Sequence, residues 1–536
     1  MSIRLANVRM HVEEPEAVLP FRVAKALGTP RDQVLSLRIL RKSLDARDKR
    51  DIAFVYTLEV QTAEADEVVV ERLRTSAPWA RPEIYHEPPF EMPDPGERPL
   101  SSRPVIVGTG PAGLFAGLFL AERGYRPLLL ERGKPVRERI GDVRSLEAGG
   151  PIDPESNYLF GEGGAGTFSD GKLTCRLAGP DVRRVLEVLA ESKGKPSILY
   201  EHRPHLGSNR LPAVVKALRQ RIERAGGEFR FGCRMEDLDI RDGAIVGVQT
   251  SSGTIATSVV ILAAGHSARD TFEMLHRRGV PLEQKPFQFG VRIEQPQEVV
   301  NRAQYGPSPL ENLLGAADYS VIGHGSRDVF SFCMCAGGQV IPSVSEPGYF
   351  STNGMSLSKR NSPWANSGMM VTLGPEDFGS PHVLAGMWLQ RHYEKKAYET
   401  GGRDQYLCPI QRAEDFLRGR RSRGELPTSY QRGVTPTDLN LLLPTAAVTA
   451  LREGLPQIDR KWRGAFLREA VLVGPEARGS SPIRIPRDRD SFETRGVAGL
   501  YPIGEGAGYA GGIVSAAVDG LRCAKAIIRA YAPLER

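Results

Sequence analysis

A strand, a glycine-rich turn and a helix follow one another without a gap in residues 104–133, PVIVGTGPAGLFAGLFLAERGYRPLLLERG. Val105, Ile106 and Val107 are a β-branched run suited to a strand buried on both faces. Gly108, Gly110 and Gly113 come next, with Pro111 and Ala112 opening an uncharged apolar run of helical length. In such a unit the first glycine permits the tight turn and the second lets backbone approach a pyrophosphate. The third lets helix pack on strand. The first N–H groups of the helix lack intrahelical partners, so they and the helix dipole form an anion site. A second apolar strand, Leu128 to Leu130, ends in Glu131 and Arg132. Glu131 lies close to the spacing expected of an acid that binds ribose hydroxyls. A transmembrane or signal segment is the competing reading of 104–121. Three glycines, an early proline and a start about a hundred residues into the chain argue against it. The unit predicts a dinucleotide site.

A chain of 536 residues has room for two or three domains and a large core. Its 40% hydrophobic and 25% charged residues are ordinary for a globular protein. The N-terminus, MSIRLANVRMHVEEPE, lacks the apolar core of a signal peptide, so the expected location is cytoplasmic. Six scattered cysteines make no disulfide framework, and Cys333 with Cys335 lacks the second pair a zinc site needs, so no metal is expected. The net charge of +7 suits acidic substrates, a phosphate-bearing cofactor or nucleic acid, and suits equally a compositional habit.

Residues 1–75 alternate as strand, helix, strand, strand, helix: a small N-terminal α+β domain. Its second and third strands are joined through a basic run, Arg41 to Asp51, which reads either as a solvated hairpin loop or as a nucleic-acid surface. Residues 76–103 are proline-rich and aperiodic, a semi-extended linker. Residues 104–285 carry the first part of the nucleotide domain, and 286–470, strand-like and then more helical, an inserted α+β substrate domain. Residues 471–536 return to the nucleotide domain.

Within the nucleotide domain, SLEAGGPIDPESNYLFGEGGAGTFSDGKL is too glycine-rich for helix or strand. Gly163, Gly164 and Gly166 let amides converge, Thr167 adds a hydroxyl and Lys172 a cation, which suits a wall around a phosphate or flavin ring. An amphipathic helix, a β-meander and a buried strand ending in Ala263-Ala264-Gly265 follow. That order is how FAD domains of the glutathione-reductase type continue. Near the C-terminus Gly504-Glu505-Gly506 is a turn bearing one acid, and Gly511, Gly512 and Ile513 open a final helix. In such domains the acid binds the ribityl chain, and the helix start meets the isoalloxazine. No second strand–glycine turn–helix unit appears, so non-covalent FAD is the expected cofactor, with NAD(P)H at most a transient donor.

The chain resembles a group of bacterial and plastid FAD-dependent oxidoreductases, described as FAD-dependent dehydrogenases of unassigned substrate. The resemblance runs nearly end to end, through KSLDAR, GEGGAGTFSDGKL, PFQFGVRIE, FCMCAGG, NGMS, ANSG, SSPIRI and YPIGEGAGYAGGIVSAAVDG. Ala336 stands where that group has proline, and Gly479 where it has threonine. The resemblance implies a flavoprotein with a small added N-terminal domain, and no particular reaction.

Flavin carries the redox chemistry, so candidate catalytic groups are those able to lie beside it. Cys333 and Cys335, spaced i, i+2 on a predicted strand before an AGGQ hairpin turn, place both thiols on one face. They read as a redox pair, or as two small buried hydrophobes. Arg478 and Arg484 suit a carboxylate or phosphate clamp, or surface pairing with Asp488 and Asp490. His205 suits a general acid or base, or a structural role. The expected function is transfer of a hydride or electron pair between FAD and an unidentified small molecule. An RNA-acting flavoprotein using the basic N-terminal domain is the alternative. Oligomeric state is not legible.

Overall fold

The computed structural model describes residues 2–307 and 310–534. Five parallel strands of three residues each form the sheet that carries the nucleotide unit, in the order Leu500–Pro502, Val260–Leu262, Val105–Val107, Leu128–Leu130, Glu228–Arg230. The first four are buried throughout, as strands covered on both faces must be. The Pro111–Glu122 helix is buried from Ala112 to Ala121. It packs against the sheet, the Leu211–Arg224 helix and the Ile513–Ala530 helix. A three-stranded antiparallel meander, Met235–Arg241, Ala244–Thr250 and Gly253–Ala256, leads into Val260–Leu262.

Small residues set how closely the helices approach. A Cβ on Gly520 would lie 2.1 Å from the Ala112 carbonyl oxygen, and one on Gly117 would lie 2.9 Å from Leu129 Cδ2. The Ile513–Ala530 helix therefore touches the backbone of the Pro111–Glu122 helix at its first turn.

A second, seven-stranded sheet follows the order Ile322–Gly323, Val329–Cys335, Trp364–Leu373, Phe287–Pro296, Val471–Glu476, Cys408–Arg412, Val434–Pro436. This sheet does not stop at the expected block boundary of 470. Val471–Glu476 is buried along its whole length as an interior strand, so the sheet extends past that residue. The Ala385–Thr400 and Thr445–Lys461 helices pack on this sheet. The AGGQ turn does not close a hairpin. Gly338–Pro342 pairs instead with Thr352–Ser356 as a separate two-stranded sheet.

The N-terminal sheet runs Val34–Asp45, Ala53–Thr62, Ser2–His11, Glu83–Tyr85. The last strand lies inside the segment expected to be linker. Ser2, Ile3 and Arg4 present an open edge to Tyr85, Ile84 and Glu83, and an Arg4–Glu83 ion pair closes it. The basic run is largely engaged rather than free. Arg47 pairs with Asp45 at 2.8 Å and Arg50 with Asp48 at 3.4 Å, while Lys49 Nζ donates to the Ala303 carbonyl at 2.7 Å. Lys42 exchanges backbone hydrogen bonds of 2.7 and 2.8 Å with Tyr200 and His202, which docks this domain on the nucleotide domain. No helix among the described residues is long and apolar enough to cross a membrane.

Gly520→Ala gains about 1 kcal/mol of helix propensity but overpacks a backbone contact, at about 1–3 kcal/mol. Its expected effect is a lower midpoint of thermal unfolding than wild type, measured by circular dichroism on both proteins free of FAD.

Candidate functional site

A cleft opens at the carboxyl ends of Val105–Val107 and Val260–Leu262, where the order of the parallel strands reverses and ligands of such sheets bind. Gly108, Gly110, Pro111 and Ala112 form one wall. Glu131 and Arg132, Gly164, Gly166 and Lys172, Ala264 and Gly265 continue it, and Gly504, Glu505, Gly511, Gly512 and Ile513 complete it from the C-terminal end. Cys333 reaches the same space from the seven-stranded sheet. The remaining expected wall residues lie behind it. A Cβ on Gly113 would stand 2.0 Å from the Gly108 carbonyl oxygen, so that glycine serves helix–strand packing. The Gly163 N–H donates to the Thr109 carbonyl at 3.0 Å, and the Thr167 hydroxyl donates to the Glu162 carbonyl at 3.0 Å.

Two kinds of glycine are distinguishable. At Gly110 φ is −67°, which any residue adopts, and an added Cβ would meet nothing within 4 Å. Neither backbone conformation nor packing calls for glycine there. Gly265, Gly511 and Gly512 likewise face open space, although Gly265 and Gly512 also have positive φ. Neither the Pro111 nor the Ile513 helix start has a side-chain cap. Open glycines beside two uncapped helix starts fit a bound anionic dinucleotide.

Glu131 is placed differently from the sequence expectation. Its Oε2 accepts from the Thr109 N–H and hydroxyl at 3.0 and 2.6 Å, and its Oε1 from the Gly133 and Gly161 N–H groups, both at 3.0 Å. Four donors fill a carboxylate's acceptor capacity, so in this arrangement Glu131 clasps three loops rather than presenting an oxygen to ribose. Arg132 is held by Glu155 at 2.7 and 3.1 Å and by Asp270 at 3.1 Å.

Lys172 sits between the glycine-rich loop and the seven-stranded sheet. Its Nζ lies 3.2 Å from Asp170 and donates to the Met334 carbonyl. Burial opposes its charge, yet Cys335, Asp170 and Cys333 raise its pKa overall. Asp170, buried and bonded also to Arg360 at 3.0 Å, is held well below the usual carboxylate range by Lys172 and Arg360, against the effect of burial.

The two cysteines do not share one face of a regular strand. Phe332 pairs with Gly368 and Cys335 with Asn366, three steps on one strand against two on the other. Cys333 takes up the extra residue in a left-handed conformation, φ 49°, at about 1–2 kcal/mol for an L-residue. Cys333 lines the cleft and Cys335 is fully buried. Cys335 Sγ donates to the Cys333 carbonyl at 3.2 Å, and the neighbouring thiol, with Lys172 and Arg292 assisting, lowers the pKa of Cys333 while that of Cys335 is raised.

Arg478 reaches the cleft but is no free clamp. It forms a bidentate pair with Glu394 at 2.9 Å, which Arg269 also grips at 2.8 Å. Arg484 is exposed, stacks over Tyr509 at 5.4 Å and is not part of the wall. Nor does Asp488 pair with either arginine. It accepts from the Asp490 and Ser491 N–H groups instead. His205 stands behind the wall with a buried, unpartnered Nε2, and burial, then Arg360, lower its pKa to about 4.

Residues that the sequence did not single out complete the site. His266, directly after the Ala264–Gly265 turn, has Nε2 4.0 Å from Glu505. Burial and the nearby Arg478 and Arg269 hold it neutral, with pKa lowered to about 3. Glu505 is pushed the other way, up to about 7, by burial, with Lys285 opposing. Asn353 and Phe332 line the cleft beside Cys333. Arg292, buried on the floor, pairs with Glu476 at 2.7 Å through two nitrogens. Only His266 had a legible signal, its place beside the small-residue strand end.

The fold and cleft are those of a dinucleotide-binding domain joined to a second sheet that lines part of the same cleft. Residues 286–479 match the family described as FAD-dependent protein, C-terminal domain-like, residues 204–324 match FAD dependent oxidoreductase, and residues 2–61 match a domain of unknown function. An uncharacterized protein of Clostridium beijerinckii is 40% identical over 538 residues, covering 99% of both chains. Protein FixC of Escherichia coli K12 is 26% identical over 231 residues, 39% of this chain and 50% of FixC. Among solved structures, glycine oxidase from Bacillus cereus superposes with TM-score 0.34 at 13% identity, covering 79% of this chain and 94% of that one. L-proline dehydrogenase from P. horikoshii gives 0.34 at 12%, covering 80% and 92%. These superpositions are loose, and the assignment rests on the sequence families. The chain belongs to the FAD-dependent oxidoreductase family that it shares with the Clostridium protein.

Between its unfolded value of 4.5 and about 7, Glu505 holds a proton in the folded protein that the unfolded chain lacks. By linkage, folded stability falls as pH rises through that window and levels above it. The thermal midpoint of FAD-free wild type is therefore expected to fall relative to Glu505→Gln between those two pH values. A difference that does not vary with pH contradicts the assignment.

Proposed function

We propose that FAD lies non-covalently in this cleft, in a domain of the glutathione-reductase type, and exchanges an electron pair with a small molecule admitted beneath the second sheet. The observation that carries the proposal is Gly110: a glycine that the protein's own backbone and packing do not require, at the start of an uncapped helix. Gly108, Gly110, Pro111 and Ala112 would hold the pyrophosphate. Gly504, Glu505, Gly511, Gly512 and Ile513 would hold the ribityl chain and the flavin edge.

When bound, flavin supplies reversible two-electron chemistry. The chain's own groups set its surroundings. The uncapped N–H groups at Ile513 favour negative charge at the site they face. Glu505, whose pKa sits near neutrality, can hold or release a proton beside neutral His266. The buried Arg269–Glu394–Arg478 cluster fixes the wall rather than binding substrate, because its charges answer one another. Phe332, Asn353 and Cys333 face the space that remains for a substrate. One glycine-rich unit serves one dinucleotide, so an NAD(P)H donor would meet the flavin transiently through the same opening. The partly paired basic run of the N-terminal domain gives the RNA-acting alternative no support.

Gly110→Val introduces a side chain into open space without changing the turn. The variant should keep the thermal midpoint of FAD-free wild type while its FAD dissociation constant, from flavin fluorescence titration, rises at least about tenfold, about 1.4 kcal/mol. Unchanged affinity in the folded variant would show that the pyrophosphate lies elsewhere.

A further inference from the structure

Nothing in FAD binding requires the bulge at Cys333, yet the structure builds it with care. Arg292 Nη1 donates to the Cys333 carbonyl at 3.2 Å, and Lys172 Nζ donates to the next carbonyl, that of Met334. A buried and a half-buried cation thus grip consecutive carbonyls of one bulge. Arg292 is fixed in turn by Glu476, by Asn366 at 2.8 Å and by Asn353 at 3.0 Å. A pair of cysteines serving only as small hydrophobes would need none of this, since a regular strand would bury both.

The bulge makes the two thiols unequal while keeping them in contact. Cys333 is turned to the cleft, and Cys335, fully buried, donates through Sγ to the Cys333 carbonyl at 3.2 Å. One thiol is reachable from the cleft beside Lys172, and its neighbour two residues on is shielded and held by its Sγ against the backbone of the same bulge. An attacking thiol and its resolving partner require that arrangement. The other cysteines are distributed differently along the chain. Cys233 also lines the cleft, but no cysteine lies near it in sequence, and Cys408 and Cys523 are buried elsewhere.

We propose that Cys333 and Cys335 are a redox-active dithiol that exchanges an electron pair with FAD, and that Cys333 is the thiol that meets a thiol or disulfide substrate in the cleft. In the oxidising direction the two S–H bonds break, one S–S bond forms between Cys333 and Cys335, and two electrons with two protons pass to FAD, giving FADH2. The reverse step breaks the S–S bond and returns both thiols. The proposal rests on FAD occupying the cleft as described above.

The test uses the purified holoprotein, oxidised mildly with diamide, freed of oxidant and titrated anaerobically with dithionite. Flavin content is measured in the same sample after denaturation. Wild type should take up two electron pairs per FAD and Cys335→Ala one. Before titration, the peptide carrying both cysteines should be lighter by the mass of two hydrogens in wild type and resist alkylation. After titration both thiols should alkylate. Cys333→Ser, also expected to take up one pair, guards against misfolding of the first variant, with bound FAD as its folding check. A single electron pair in wild type with full flavin occupancy overturns the proposal, as does a disulfide that persists after the flavin is reduced. If the protein binds no FAD, the missing flavin absorbance identifies failure of the parent reading, and the proposal falls with it for a distinguishable reason.

Discussion

Contact between two helix backbones governs this molecule. Gly520 lets the Ile513–Ala530 helix rest on the carbonyl of Ala112, at the first turn of the Pro111–Glu122 helix, and Gly504 packs on the Ala112 side chain. Segments just over four hundred residues apart thereby bring two helix starts without side-chain caps to one cleft. Helix N-termini carry partial positive charge and free N–H donors. Setting two of them together, with Glu505 pushed toward its neutral form beside the second, favours an anionic ligand with a polarisable end, which FAD meets.

Around that preference the charged groups are arranged to leave few loose charges at the cleft. Glu131 is spent on four loop donors, Glu394 on two arginines and Glu476 on Arg292. Buried ions stay charged only when paired and hydrogen-bonded, and these pairs hold the walls. Fewer groups are left to act, chiefly Glu505 beside His266 on one side and Cys333 beside Lys172 on the other. The second sheet brings Cys333 to a cleft whose other walls belong to the nucleotide domain, so the two sheets make one site.

Much of this was legible because it is local. Strand, glycine turn and helix at 105–122 are specified by consecutive residues, and the glycines from 504 to 512 announce a turn and a helix start wherever they occur. What was not legible depends on distant partners. The i, i+2 spacing of Cys333 and Cys335 implies a shared face only on an unbroken strand, and the bulge is visible only against Gly368 and Asn366. The role expected of Glu131 followed from spacing, but its acceptors are taken by N–H groups at 109, 133 and 161. Arg478 reads from sequence as an anion clamp or a partner of Asp488 because its actual partner, Glu394, lies 84 residues earlier. The Glu83–Tyr85 strand hid in a proline-rich segment because three edge residues carry no period of their own.

The central claim is that one FAD is held by both helix starts together. Hydrogen–deuterium exchange of the protein with and without saturating FAD tests it most directly. Amides of residues 110 and 112–114 and of residues 512–516 should both slow on binding, with the same dependence on FAD concentration. Protection confined to one segment, or titrating separately at the two, would contradict it.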